Sequence, residues 1–341
     1  MTSRDLVVST LNHEPVARVP RDLWTAPEVE TTRADELAEV EVRYPTDMIR
    51  ADFQYPPGKR SKGRPQRAGK FIDAWGCTWR VTERAASCEP LLPPLEKAEQ
   101  IDKYQPPVEV LEGTKFAPVN RECAATSRFV LGWTDVRPFE RLQLLRGCET
   151  ALADLAHGTT RIRNLLAMLH DFFCREIEIW AESDVDGIVF RDDWGSQQAL
   201  LIAPEIWRDL FKPLYRDYCK IIHAKDKFAL FHSNGDISDI FGDLVKTGVD
   251  AIHSELFLMK IEQLAKRFRG KVTFWGELDN QQALPFGSPE EVREAVLRVR
   301  KALDFGSGGV IAQLRWGSDV PLKNIMAAFE QWMMPLPMHA A

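Results

Sequence analysis

Glu277 and Asp279 stand two apart in Phe274-Trp275-Gly276-Glu277-Leu278-Asp279, so both carboxylates share one face where an apolar run ends. Paired carboxylates suit general acid–base work or metal ligation, because their surroundings can keep one protonated and the other charged. The alternative is a helix N-cap with a salt bridge to Arg191 or Arg315. Four more apolar runs end in reactive groups: Gly187-Ile188-Val189-Phe190-Arg191-Asp192-Asp193, Phe228-Ala229-Leu230-Phe231-His232-Ser233-Asn234, Ala251-Ile252-His253-Ser254-Glu255 and Gly309-Val310-Ile311-Ala312-Gln313-Leu314-Arg315.

His232 suits a metal ligand or proton donor, with a structural turn-capping histidine as the alternative. His253 and Glu255 share a side, and Glu255 is the one expected to reach past the strand end. Asp192 and Asp193 are neighbours and must face opposite ways, so only one of them can meet a ligand. Gln313 and Arg315 share a face, where arginine binds an anionic group or neutralises nearby acids. Trp75, Trp194, Trp275 and Trp316 lie near expected strand or hairpin ends, as walls for a flat substrate or as core. Asn234 and Gln197, close behind two strand ends, complete the candidate substrate contacts.

Groups of this kind need a scaffold that brings strand ends together. In the second half, strands alternate with helical stripes such as Ile237, Ile240, Phe241, Leu244 and Val245, stopped by Gly248. Ser288-Pro289-Glu290-Glu291 forms a capping box with proline at the first helical position. Further strands are expected at residues 19–24, 48–53 and 129–135, a long helix at 160–180, and a kink at Pro213 within 204–225. Eight strands with intervening helices predict a (β/α)8 TIM barrel, whose strand C-termini ring one mouth. The whole chain, 1–341, is read as one barrel domain. Residues 54–128 are an insertion over or beside the mouth, with a hairpin near 73–81, a basic run at 59–70 and a proline-rich stretch at 90–107.

The chain's 341 residues fit such a barrel, and 45% hydrophobic with 28% charged residues is ordinary for a water-soluble fold. A net charge of −6 argues against nucleic acid as partner. No apolar run reaches the roughly 18 residues that cross a bilayer. Met1-Thr2-Ser3-Arg4-Asp5 lacks a secretory pattern, so the expected location is cytoplasmic. The six cysteines are scattered without a Cys-x-x-Cys pair and read as small buried hydrophobes. A homodimer is compatible with all of this.

Several segments together resemble the uroporphyrinogen decarboxylase superfamily, which includes cobalamin-dependent methyltransferases. They are Leu11-Asn12-His13-Glu14-Pro15-Val16-Ala17-Arg18-Val19-Pro20, Asp73-Ala74-Trp75-Gly76, Asp193-Trp194-Gly195-Ser196-Gln197, Phe231-His232-Ser233-Asn234-Gly235-Asp236, Gly248-Val249-Asp250-Ala251, Trp275-Gly276-Glu277-Leu278-Asp279 and Gly308-Gly309-Val310-Ile311. The resemblance implies a single barrel with its site at the C-terminal mouth. Porphyrinogen decarboxylases carry Arg-Gln-Ala-Gly-Arg-Tyr after the first strand, whose arginines grip substrate carboxylates. Here Trp24-Thr25-Ala26-Pro27-Glu28-Val29-Glu30 offers acids instead, which argues against a tetrapyrrole.

The methyltransferase branch often binds zinc through His-x-Cys at the fifth strand and a cysteine at the eighth. This chain has His232 and Asn234, then Leu314 and Arg315, and no cysteine after Cys219. His232, Glu255 and Glu277 would still offer zinc the nitrogen and oxygen ligands it accepts. The leading expectation from the resemblance is a methyltransferase component acting between a small methylated substrate, such as an aryl methyl ether, and a corrinoid on a separate partner protein. No Asp-x-His-x-x-Gly segment for holding the corrinoid occurs in this chain. In that role His232, Glu255 and Glu277 would hold the metal or polarise the leaving oxygen. Asp192 or Asp193, with Gln313, would orient the substrate. Glu277, Asp279, Asp193 and Asp192 are the candidate catalytic residues. The alternatives are a metal-free lyase or decarboxylase on a small acid, with Arg315 on its carboxylate, and a non-catalytic small-molecule binder.

Overall fold

The computed structural model describes residues 1–65, 67–82 and 88–335. Eight barrel strands follow in chain order: β1 Arg21–Thr25, β2 Met48–Arg50, β3 Phe129–Trp133, β4 Gly187–Arg191, β5 Phe228–Ser233, β6 Ala251–Ser254, β7 Thr273–Trp275 and β8 Val310–Trp316. Each pairs in parallel with the next from β2 to β8, and β8 pairs with β1. At the remaining seam the Asp47 N–H donates to the Arg21 carbonyl at 2.9 Å. The predicted (β/α)8 barrel is therefore the fold, with every expected strand present and its ends moved by a few residues.

Period-two alternation decides which side chains face the axis. Met48, Phe129, Leu131, Val189, Leu230, Ala251, Trp275 and Ile311 cluster inside the barrel. Val7 and Leu11 of the helix Ser3–Leu11 join them, forming a plug of apolar side chains. Ala229 and Phe231, one residue out of phase with Leu230, join the larger cluster that includes the outer helices. Two positions beyond each inner apolar residue, the same phase delivers His232, His253, Arg191 and Gln313 to the axis.

The helices behave as their caps dictate. Ser288 and Glu291 form the reciprocal box that starts Pro289–Leu303, and Gly248, at φ 102°, ends Ser238–Thr247. The stretch around Pro213 is two helices, Pro204–Leu210 and Lys212–His223, rather than one kinked helix. Proline lacks the N–H the continuing ladder needs, so it opens the second helix.

The insertion carries an antiparallel sheet of Gly69–Ile72, Thr78–Val81 and Cys88–Leu92. The hairpin thus begins earlier than expected, and a third strand occupies the start of the proline-rich stretch. Trp75, Cys77, Leu95, Ile101, Tyr104 and Val110 share one core cluster with Leu169, Phe172 and Phe173 of the helix Thr160–Ala181. Burial on that scale ties the insertion to the barrel rather than leaving it as a separate unit.

Candidate active site at the barrel mouth

At the level of the strand ends the axis is lined by rings and charges. Trp24 stacks on His253 at 4.1 Å between centroids and meets Trp133 and Trp275 edge-on at 5.4 and 5.5 Å. Asp22, one phase below Trp24, is buried and accepts from the indole N–H of Trp24 and of Trp275, both at 2.8 Å. Burial pushes its carboxyl above the usual range. The Arg50 guanidinium lies 3.7 Å from the Trp133 centroid and 4.5 Å from that of Trp24. Neither Asp22 nor Arg50 was singled out from sequence, although both fall in phase with an inner-facing strand residue.

His232 is buried and points to the axis, not into the following turn. Its Nδ1 is 2.9 Å from His253 Nδ1, and its Nε2 is 3.8 Å from Asp193 Oδ1. Burial, then Arg191, Arg50 and Arg315, push His232 down to about 3, so the ring is neutral. Asp193 is fixed by Asn234, whose backbone N–H and side-chain amide donate at 3.0 and 2.9 Å. Asn234 therefore braces an acid at the mouth. Gln313 is buried near the axis with its Oε1 unpartnered, as is His253 Nε2. Arg315 is exposed at the rim, near enough for its charge to act on His232 and Glu277.

Glu277 follows β7 and is 1% exposed. Its Oε1 accepts from Asn280 Nδ2 at 2.7 Å, while Oε2 has no partner. Burial raises it to about 7, opposed by Arg315 and aided by Glu255. Glu255 accepts from the Gly235 N–H at 2.6 Å and from Gln281 Nε2 at 3.1 Å, and Asn280 Nδ2 reaches it at 3.5 Å. Asn280 thus spans the two glutamates. Asp279 accepts from the Gln281 and Gln282 N–H groups and caps that turn, the structural alternative weighed for it. Glu255, Glu277 and Asp279 line a groove of about 290 Å³.

The three expected zinc ligands do not converge. Among the described residues no three His, Cys, Asp or Glu side chains are grouped to hold a metal ion. His232 is paired with His253, Glu255 with Gly235 and Gln281, and Glu277 with Asn280. Glu277 keeps one free oxygen, but the three are not grouped, so the donor set as arranged does not fit zinc, and no chemical step is derived through it.

Asp192, one of the expected catalytic acids, faces away from the mouth. It is fully buried and accepts from the N–H groups of Phe139 and Glu140, at the start of the helix Pro138–Arg146, and from the Tyr215 hydroxyl at 2.6 Å. Burial, then Glu140, pushes it well above the usual carboxylate range. Trp194, expected to wall the substrate, is core: it stacks on Phe139 at 4.1 Å and donates to Tyr215. Trp316 is likewise buried, donating to the Val320 carbonyl. Gln197 lies exposed in the loop after β4.

A second concavity lies under the insertion, at the ends of β2 and β3. Its volume is about 280 Å³, and its walls include Tyr55, Phe71, Trp75, Trp79 and Phe172 with Asp73, Asp135, Arg137, Arg141 and Glu176. Trp75 is the expected substrate contact that the fold does place on a cavity. Glu176 is buried and accepts from the Tyr55 hydroxyl and the Asp135 N–H, both at 2.6 Å. Burial and then Asp135 raise it to about 7. Burial opposes ionisation of Asp135, but Arg137, Arg141 and Arg191 hold it below the usual range. Arg191 of the mouth reaches Asp135 at 3.7 Å, so charge runs unbroken from one space to the other.

Residues 73–331 match the family described as uroporphyrinogen decarboxylase. No curated protein matches. Among solved structures, a methyltransferase from Methanosarcina mazei superposes with a TM-score of 0.73 at 14% identity, covering 97% of this chain and 98% of that one. An endo-β-1,4-xylanase from Gloeophyllum trabeum gives a TM-score of 0.47 at 12% identity, with 96% and 99% covered. A chitinase from Chromobacterium violaceum gives 0.46 at 9%, with 93% and 100% covered. At such identities the likeness speaks to the barrel alone.

Proposed function

The chain belongs to the uroporphyrinogen decarboxylase family, and from that premise we propose that it is a methyltransferase component working at the barrel mouth. It takes the methyl group of a small aryl methyl ether, and a corrinoid carried by a separate protein accepts it. The observation that carries this reading is Glu277, a buried carboxyl at an inner strand end with one oxygen unpartnered and an affinity for its proton near neutral pH. As the methyl–oxygen bond breaks, the bonding pair stays on oxygen, and Glu277 supplies the proton that turns the leaving phenolate into a phenol. The tryptophan-lined mouth suits a flat ring. Neutral His232, fixed between His253 and Asp193, orients the substrate through hydrogen bonds rather than charge.

A second reading, decarboxylation of a small carboxylic acid, is favoured by the arginines. The expected acids after β1 are there, yet Arg50, Arg191 and Arg315 make the mouth cationic around His232. Those guanidinium groups can hold one small carboxylate, while the acids after β1 still argue against a tetrapyrrole that carries many.

Incubation with methoxylated aromatics and reduced corrinoid, free or on a carrier protein, tests the choice. Methyl transfer appears as a change in the cobalt absorption bands together with release of the phenol. Carbon dioxide release from aromatic acids without any such change would replace the first reading by the second.

A further inference from the structure

Arg141 is the most unusual charged residue of the cavity under the insertion. It is 2% exposed, yet its Nε and Nη1 have no hydrogen-bond partner, and neither has Arg137 Nε beside it. Only Arg141 Nη2 donates, to Asp135 at 3.3 Å. Asp73, 3.7 Å from Arg141, is already occupied by the Cys77 N–H at 2.8 Å and the Trp79 indole at 2.9 Å. Buried donors left bare are costly, and guanidinium groups hold carboxylates better than any other side chain does.

The arginines of the cavity gather around one acid. Arg137, Arg141 and Arg191 surround Asp135, at 3.3, 3.3 and 3.7 Å. Glu140 adds a third carboxylate 3.9 Å from Arg137, so three cations face Asp73, Asp135 and Glu140. It is the bare guanidinium N–H groups, not a net charge, that call for an acceptor.

The remaining walls are aromatic. Phe71 and Trp79 lie parallel, with interplanar angle 7° and centroids 6.1 Å apart, and Trp75 meets Phe172 edge-on at 4.7 Å. A dry cavity of about 150 Å³ holds benzene, so 280 Å³ takes one substituted ring.

We propose that this cavity is a binding site for a monocyclic aromatic carboxylate, its ring among Phe71, Trp75, Trp79 and Phe172 and its carboxylate on Arg137 and Arg141. The proposal is independent of the methyl-transfer reading, because the cavity lies at the ends of β2 and β3 whereas Glu277 follows β7 and is not part of its lining. It gives the insertion a task, because three of the four rings belong to it.

Binding is read by tryptophan fluorescence and calorimetry with 4-methoxybenzoate, benzoate and the neutral anisole. Saturable binding of both acids is expected, with anisole weaker by about ten- to a hundredfold. Arg137→Gln and Arg141→Gln each weaken the acids by a similar factor and leave anisole unchanged. Arg137 is partly exposed, so its variant keeps the test open if Arg141→Gln does not fold. Glu277→Gln retains the binding. Equal affinity for acid and anisole, no saturable binding, or indifference to Arg137→Gln in a folded protein overturns the site. Tight binding of 4-methoxybenzoate upholds the site whether or not methyl transfer is seen.

Discussion

His232 and His253 meet Nδ1 to Nδ1 at 2.9 Å over the centre of the barrel. One nitrogen must donate and the other accept, so the two rings hold opposite tautomers and both are neutral. Protonating the acceptor ring would set two Nδ1–H donors against each other, and protonating the donor ring at Nε2 would put a charge in a buried place that Arg50 and Arg315 already make positive. The unfolded chain has no such restraint, and its histidines titrate near 6.5.

The sign of the resulting pH dependence follows from proton counts. Between 6.5 and about 3 the unfolded chain binds a proton at position 232 that the folded chain refuses. Stability therefore rises with pH across that window, and the contribution is complete above 6.5. Each refusing histidine contributes at most about 1.4 kcal/mol per pH unit. Urea midpoints of the wild type should fall more steeply between pH 6.5 and 4 than those of His232→Asn/His253→Asn. Parallel slopes in the two proteins would show that the pair is not held neutral.

Glu277→Gln keeps the shape and the Asn280 contact but removes the transferable proton. The expected loss is about 10²–10⁴-fold in kcat with KM little changed, the range that general acid catalysis supplies. Because the carboxyl is raised to about 7, it is protonated below that pH and ionised above it. The wild-type rate should decline as pH climbs through 7, and the residual rate of the variant should show no such decline. A variant with unchanged kcat would remove Glu277 from the chemistry.

Asp192 and Asp193 are adjacent, and the fold gives them separate tasks. Asp192→Ala strips a buried acceptor from the Phe139 and Glu140 N–H groups and the Tyr215 hydroxyl. The loss should be at least about 2 kcal/mol of stability, as for a capping residue with a further buried partner. Asp193→Ala, at the half-exposed mouth, should leave the denaturant midpoint nearly unmoved and lower activity instead. Equal destabilisation by both would contradict the opposite facing.

How much of this was legible in the chain depends on the kind of signal. The strands were readable because apolar runs closing on polar tips repeat with period two, and Ser288 and Gly248 marked helix ends by their own chemistry. Which of Asp192 and Asp193 faces the mouth was not readable, because both choices satisfy the same run and only the barrel register separates them. Trp194 looked like Trp75 in sequence; one lies against Phe139 in the core and the other borders a cavity. The Arg137, Arg141 and Glu176 group was invisible as a site, since it joins a loop, a short helix and a long helix. The spacing of four between Arg137 and Arg141, which puts both on one side of a helix start, was the available hint.

Gly235 controls how the loops after β4 and β5 meet. Its φ is +79°, and a Cβ there would stand 2.1 Å from the Gly195 carbonyl oxygen. Around that contact the Gly195 N–H donates to the Asn234 carbonyl and the Asp236 N–H to the Ser196 carbonyl, so the loops are joined by backbone bonds. These loops carry Asp193 and Asn234, and the Gly235 N–H itself holds Glu255. Gly235→Ala combines a disfavoured conformation with a clash against main chain that cannot rotate away. It should unfold the protein or cost it about 2–4 kcal/mol while abolishing activity, because Asp193 and Glu255 both lose their placement. Ser196→Ala, exposed in the same loop, removes only local turn bonds to Gln198 and Ala199 and should cost less stability than Gly235→Ala, about 1 kcal/mol. A Gly235→Ala protein with wild-type stability and rate would mean that the two loops do not pack as described.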